Sequence, residues 1–384
     1  MKLVSVIGAR PQFVKEAVIQ YEINKKNDIS EVVIHTGQHY DKNMSGDFFE
    51  VLKMKTPDYN LGIQSSNHGE MTGQMLIEIE KILKRESPDA VILYGDTNST
   101  LAGALAATKL HITVCHIEAG LRQKPHDMPE EINRILTDHC SDFLFAPCEN
   151  AVNTLKNEGI TNGVYFTGDV MYDIFLKMKN SFKYDVFNDL NLEENNFIVM
   201  TLHRDFNVDL KEKLNEILLQ INRVSKEIPV IFPIHPRTKK KIREFELEDL
   251  SKNIKIIPPI DYLNLMGLTQ KCKSVITDSG GYQKESYFSN KNALVIMPDT
   301  AWIELVDAKI NTLTNPENIY ENVMLEKNMN IAQNIYGDGN SAAKCIEIIC
   351  DKFGDDRGKR YLKNPAIRFI HTFYFIVEIG RAHV

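Results

Sequence analysis

The stretch Asp89-Ala-Val-Ile-Leu-Tyr-Gly-Asp-Thr97 decides the fold: an apolar run over Ala90–Tyr94 stops at a glycine followed by an acid. The next such run, Thr113–Ile117, leads into His116-Ile-Glu-Ala-Gly-Leu-Arg122, and shortly after it stands Pro129-Glu-Glu-Ile-Asn-Arg134. Glu118, Glu130 and Glu131 therefore share 17 residues with Arg122 and Arg134, and Asp96 adds a further acid where a strand should end. Acids and bases gathered at the carboxyl ends of parallel strands are where open α/β sheets place their chemistry. Helix caps and surface salt bridges would explain each group singly, but such a surface would scatter these charges among lysines.

Working outward, strand-like runs alternate with helical patterns almost throughout, which predicts parallel sheets with crossover helices. In the first half the expected strands are Leu3–Ile7, Glu31–Thr36, Ala90–Tyr94, Thr113–Ile117, Phe143–Ala146 and Val164–Thr167. Helices are expected between them at about 11–25, 70–86, 98–109, 130–139 and 149–158. The rhythm restarts with Phe197–Leu202, Val230–Pro233, Ile254–Ile257, Ser274–Thr277 and Ala293–Ile296. A chain of 384 residues is too long for one ordinary core. The expected architecture is α/β, with two Rossmann-like domains (1–180 and 190–340) facing a cleft, joined by the polar stretch Asn180–Asn196.

Composition narrows the classes. A net charge of -7 argues against nucleic-acid binding, while local arginines still allow phosphate ligands. The six cysteines lie far apart without a C-x-x-C pair and read as reduced core residues of a cytoplasmic protein. His116-x-Glu118 with Pro147-Cys148 imitates half of a zinc-deaminase signature, but its second cysteine position holds Ala151, so no metal is expected. The chain opens directly on a strand, without a charged-then-apolar leader, and no stretch reaches the roughly 20 apolar residues of a membrane span.

No G-x-G-x-x-G opens either half, so a nicotinamide cofactor is not expected. The first turn reads Gly8-Ala-Arg-Pro-Gln-Phe13, where Pro11 suits the start of a helix and Arg10 opposes the helix dipole unless an anion is bound. Its counterpart is Thr277-Asp-Ser-Gly-Gly281, which offers a helix N-terminus to phosphate; capping of that turn by Asp278 or Ser279 is the structural alternative. Thr201-Leu-His-Arg204 and Pro233-Ile-His-Pro-Arg237 bring two further His/Arg pairs to strand ends.

These motifs, with Thr36-Gly-Gln-His39 and Met128-Pro-Glu-Glu-Ile-Asn-Arg134, occur in order from about Lys2 to about Gly339. Together they resemble the non-hydrolysing UDP-N-acetylglucosamine 2-epimerases. The resemblance implies a glycosyltransferase-B-type fold with the sugar nucleotide between the domains, and a C-terminal helix at about 341–353 crossing back to the first. It implies inversion of carbon 2 as UDP-GlcNAc and UDP-ManNAc interconvert, by elimination and re-addition of UDP, with no cofactor, for polysaccharide precursor synthesis. Carried over position by position, Asp96, Glu118 and Glu130 match the acid/base carboxylates and Arg134 the arginine beside them. Arg10, Lys15 and His203 match residues on the diphosphate; Ser279, Gly280, Gly281 and Glu285 match those at the phosphates and ribose, and His235 joins the substrate site. Gln38 and His39 fall where some members bind an activating UDP-GlcNAc. A homodimer is also expected.

Two departures bear on the sugar. Tyr262-Leu-Asn-Leu265 places Leu265 where relatives commonly have an aromatic residue for uracil, and Met297-Pro-Asp-Thr-Ala-Trp302 lacks an arginine that many have. Relatives acting on modified UDP-diacetamido sugars vary near these places, so a 2-epimerase of such a sugar is one alternative. A glycosyltransferase of the same fold is another, but it needs no base at carbon 2 of its donor. A catalytically dead binding module would have lost the carboxylates, and all are present. From Asp355 to Val384 the chain runs past the family pattern; this tail is expected to lie outside the cleft, with Ile379–Val384 an assembly artefact.

Overall fold

Apolar runs that are buried on both faces make up the centre of each of two parallel sheets. Residues 1–37, 54–65, 67–124, 126–325 and 334–363 are described in the computed structural model, except the side chains of Arg10 and of 354–363. The first sheet contains β1 (Lys2–Ile7), β2 (Ser30–His35), β3 (Tyr59–Asn60), β4 (Ala90–Tyr94), β5 (Thr113–Ile117), β6 (Phe143–Ala146) and β7 (Val164–Phe166). Its spatial order is β3-β2-β1-β4-β5-β6-β7, and every pairing is parallel. All of β4 and β6 is buried, the pattern of strands covered by helices on both sides.

The helices of this half are α1 (Arg10–Ile23), α2 (His68–Glu86), α3 (Asn98–Lys109), α4 (Pro129–Cys140), α5 (Glu149–Asn157) and α6 (Val170–Met178). The stretch expected to be a plain linker is ordered instead. It contains α7 (Asp185–Asp189), buries Phe182 and packs Phe187 against Phe197, with ring centroids 6.0 Å apart. Its aromatic residues are what drive the ordering, since each buries a large apolar area.

The second sheet contains β8 (Ile198–Thr201), β9 (Val230–Pro233), β10 (Lys255–Ile257), β11 (Ser274–Thr277), β12 (Ala293–Val295) and β13 (Thr312–Leu313). It too is wholly parallel, in the order β10-β9-β8-β11-β12-β13. Its helices are α8 (Asp205–Val208), α9 (Lys211–Val224), α10 (Pro236–Glu244), α11 (Tyr262–Lys271), α12 (Gly280–Phe288), α13 (Ile303–Asp307) and α14 (Ile319–Met324).

The last helix, α15 (Ser341–Lys363), runs further than the expected 341–353 and packs on α1 and α6. Cys345, Ile346 and Ile349 are buried there, and the Asp173 carboxylate accepts the backbone N–H groups of Ser341 (3.1 Å) and Ala342 (2.8 Å). Two orphan donors of the helix start are satisfied in this way. All six cysteines are free thiols. No helix among the described residues is long and apolar enough to cross a membrane. The expected tail beyond Lys363, with Ile379–Val384, lies outside the described residues.

Candidate active site

Each sheet has one place where the strand order reverses, between β1 and β4 in the first and between β8 and β11 in the second. Open α/β sheets bind ligands in the crevice at the carboxyl ends of such strands. Here the two crevices share one cleft of about 260 Å³, lined from the first domain by Pro11, Lys15, Asp96, Glu118, Gln123 and Arg134. Arg204, Gly280, Gly281, Lys284, Glu285 and Trp302 line it from the second.

The first-domain edge is tied together by Gln12. Its Oε1 accepts the N–H groups of Gly8 and Ala9, and its Nε2 donates to the Tyr94 carbonyl at 2.7 Å and to Thr97 and Thr100. One amide thus binds the turn after β1 to the turn after β4. Gly8 must be glycine, because a Cβ there would stand 2.1 Å from Ser99 Oγ.

Glu118 is held in a rarely populated backbone conformation, with φ at +73°. Such a position in a non-glycine residue costs on the order of 1 kcal/mol and clusters at functional sites. The turn aims the carboxylate into the cleft, where it pairs with Lys15 of α1 and, at 3.0 Å, with Lys284 of α12. Burial pushes the Glu118 carboxyl up, but the two ammonium groups overcome it and hold the group down at about 2. At neutral pH Glu118 is a carboxylate.

Asp96 pairs with Arg134, whose other nitrogen donates to Glu131 at 2.7 Å. Asn133 Nδ2 donates to the Asp96 carbonyl at 2.9 Å, so α4 supports the loop after β4 twice. Glu130 is exposed on the first turn of α4 and is not among the residues lining the cleft. Its neighbour Glu131, absent from the expected site, is the buried acid and also accepts the Gln123 N–H at 3.0 Å. Arg122 and His116 of the opening motif are not among the residues lining the cleft. Arg122 pairs with Asp138 (2.8 Å) and Glu158 (2.5 Å), and His116 bridges Asp138 (2.7 Å) and the Gly95 carbonyl (2.8 Å).

In the second domain, Gly280 and Gly281 begin α12 at the cleft, beside Arg204 and Trp302. Ser279 stands at the N-cap without a capping bond from its side chain. Asp278 does not cap this helix either; its carboxylate accepts the backbone N–H groups of His203 and Arg204 and the Asn207 amide. The His203 and His235 rings lie 5.8 Å apart. His235 Nδ1 accepts the Arg237 N–H, and burial with nearby His203 and Arg237 lowers its pKa. Leu265 packs against the main core. Gln38 and His39 lie outside the described residues, as does the side chain of Arg10, whose backbone begins α1.

One functional candidate was not anticipated. Lys284 is buried, bonds Asp169 at 2.6 Å as well as Glu118, and sits 3.8 Å from the centroid of the Trp302 ring. The only signal in the sequence is a lysine one turn after Gly280-Gly281, between Gln283 and Glu285. Among the described residues no group of three or more histidines, cysteines and acids is placed to hold a metal ion.

Two doubly wound parallel sheets with their reversal points facing across a cleft define a two-domain α/β protein of the glycosyltransferase-B type. A sequence profile of the UDP-N-acetylglucosamine 2-epimerases matches residues 21–350. A UDP-N-acetylglucosamine 2-epimerase homolog of Methanococcus maripaludis is 45% identical over 361 residues, 91% of this chain and 99% of that one. A UDP-2,3-diacetamido-2,3-dideoxy-D-glucuronate 2-epimerase of Pseudomonas aeruginosa is 42% identical, again over 91% and 99% of the two chains. The crystal structure of the Methanocaldococcus jannaschii UDP-GlcNAc 2-epimerase in complex with UDP-GlcNAc and UDP superposes with a TM-score of 0.80 at 42% identity, covering 91% and 99%. The chain belongs to the UDP-N-acetylglucosamine 2-epimerase family.

Proposed function

We propose that the protein inverts carbon 2 of a UDP-N-acetylhexosamine, interconverting UDP-GlcNAc and UDP-ManNAc by elimination and re-addition of UDP. The observation that carries this reading is Glu118, an ionised carboxylate flanked by two lysines in a cleft between the two reversal points. A base that removes the carbon-2 proton must be deprotonated beforehand, and a departing diphosphate needs cations and helix N–H groups. Glu118 meets the first need. Lys15, Arg10, His203 and the start of α12 at Ser279, Gly280 and Gly281 suit the second, with Glu285 toward the ribose and His235 behind His203.

Asp96 and Glu130 are the carboxyl groups assigned to protonation of the opposite face, with Arg134 orienting Asp96. Glu130 reaches the sugar only if the first turn of α4 moves toward the cleft, because it is exposed in this structure. Gln38 and His39 are retained as an activator site. Incubation with UDP-GlcNAc in deuterated water tests the reading: deuterium at carbon 2 together with UDP-ManNAc supports it, and the absence of both rejects it for this sugar.

A second reading has support from the Pseudomonas aeruginosa relative, whose name specifies a diacetamido uronate, and from Leu265 at the expected uracil position. Comparing kcat/KM for the two UDP-sugars separates the readings. We also infer a cytoplasmic homodimer serving polysaccharide precursor synthesis. A groove lined by Leu76, Leu101, Leu105 and Ile132, with Ile132 45% and Leu136 43% exposed, supports self-association, which light scattering in solution would measure.

A further inference from the structure

Glu118 has two cationic partners, and they are not equivalent. Among the described residues the Lys15 ammonium group bonds Glu118, and Lys15 lines the cleft that opens toward Gly280 and Gly281. Lys284 is anchored on three sides: Asp169 at 2.6 Å, Glu118 at 3.0 Å and the face of Trp302 at 3.8 Å. It is 3% exposed, and Asp169 itself is buried on the N-cap of α6. Two ammonium groups and two carboxylates make the cluster neutral overall. Removing one member leaves an uncompensated buried charge.

We propose that Lys284 is a positioning residue, and that Glu118 keeps it as a fixed counter-cation while an incoming diphosphate takes Lys15 away. This rests on the epimerase reading above. Free enzyme and substrate complex then differ in the basicity of one carboxylate. With both lysines present Glu118 is a weaker base than an ordinary carboxylate. When the diphosphate draws Lys15 off, burial regains weight against a single cation and the basicity of Glu118 rises. The base is thus armed only when its substrate is bound.

In the step it serves, the carbon-2 C–H bond breaks and its electron pair forms the carbon 1–carbon 2 double bond. The bond from carbon 1 to the diphosphate oxygen breaks, and that pair leaves with UDP. The proton goes to Glu118, whose carboxyl group remains held by Lys284 and so stays aimed at the sugar.

The test reads the carboxyl group itself, so that it does not depend on turnover. Infrared difference spectra between the wild type and Glu118→Gln isolate the Glu118 carboxyl band across a pH titration. In the wild type the band should remain that of a carboxylate down to pH 4, and saturating UDP should move its midpoint upward. In Lys284→Met, which retains an unbranched side chain against Trp302, the midpoint should rise by about one unit or more without UDP. A midpoint that is the same in wild type and Lys284→Met, or unmoved by UDP in the wild type, overturns the proposal. Epimerisation is followed separately. A wild type with no deuterium incorporation would reject the reading of the reaction, whereas the titration alone decides the role of Lys284. The acidic limb of kcat/KM should shift upward in Lys284→Met, and a fall in rate with an unshifted limb would mark a merely structural lysine.

Discussion

Asp278, the residue after β11, accepts the backbone N–H of Arg204, on the loop after β8, at 2.8 Å, and the N–H of His203 at 3.0 Å. One buried carboxylate therefore shapes the loop that carries His203 and brings Arg204 to the cleft. Asp278→Ala should orphan these donors and cost about 1–3 kcal/mol of stability, the usual penalty for unpaired buried groups. UDP affinity should fall with it, while Asp278→Asn, which keeps one acceptor, should lie between. Thermal melting and calorimetric UDP titration of the three proteins check this ordering, and a stable Asp278→Ala with normal affinity would remove the clamp role.

Replacing Glu118 by Gln preserves the shape of the side chain but removes its proton-accepting oxygen. Turnover should drop by roughly 100-fold or more, on the scale of general acid–base catalysis. UDP binding should hold or tighten, since Lys15 no longer has a carboxylate competing for it. Initial rates and UDP dissociation constants measured side by side separate the two effects. Glu130→Gln belongs in the same series. Because Glu130 is exposed in this structure, a comparable loss there would require α4 to approach the sugar during the cycle.

Much of this arrangement was legible beforehand. The central strands, such as Ala90–Tyr94 and Phe143–Ala146, are apolar at every position because both faces are covered, and they show plainly as runs. The two-residue strands β3 and β13 at the sheet edges have too little pattern to be seen. Asp96, Glu118, Arg134 and Lys15 were recognisable from strand ends and motifs, but the further partners Lys284 and Glu131 were not. A buried lysine such as Lys284 has the same letter as a solvated one, and only the approach of Asp169 and Glu118 from the other domain explains why it can be buried. Arg122 illustrates the converse: its charge sits in the motif, yet it pairs with Asp138 and Glu158 and does not line the cleft.

Beneath α1 lies a second pair of acids with a different consequence. Glu16 is buried beside the half-buried Glu31, with Tyr94 donating to Glu16 and Ser5 donating to Glu31 at 2.7 Å. Burial raises both pKa values, and the neighbouring Glu31 charge pushes Glu16 highest, so Glu16 is the protonated member. Among the described residues no donor reaches its other oxygen, Oε1. A folded-state pKa above the unfolded value gives stability that is complete below the ordinary carboxylate range and is lost as pH rises through the raised folded value. The melting temperature should therefore fall as pH rises above the ordinary carboxylate range. Glu16→Gln, whose amide can donate to Glu31 while its oxygen accepts from Tyr94, should flatten that decline. Melting curves from pH 5 to pH 9 measure it, and parallel curves for the two proteins would show that the pair does not hold a proton.

Arg204 carries its guanidinium beside Gly280, at the start of α12, and is exposed to the cleft. A helix N-terminus and a guanidinium on the same side attract the same anion, and each reinforces the other because both are already in place before it arrives. Arg204→Met should weaken UDP binding by about 10-fold or more, corresponding to about 1.5–3 kcal/mol for a hydrogen bond to a charged group. The salt dependence of binding should also become shallower, since one cation no longer contributes. Arg237→Met is the matched control: that arginine is exposed, pairs with Asp209 (Nε to Oδ1, 3.2 Å) and does not line the cleft. Titrations of UDP at low and high salt compare the two. Equal affinities for Arg204→Met and Arg237→Met would show that the diphosphate sits elsewhere along the cleft, nearer to Lys15 than to α12.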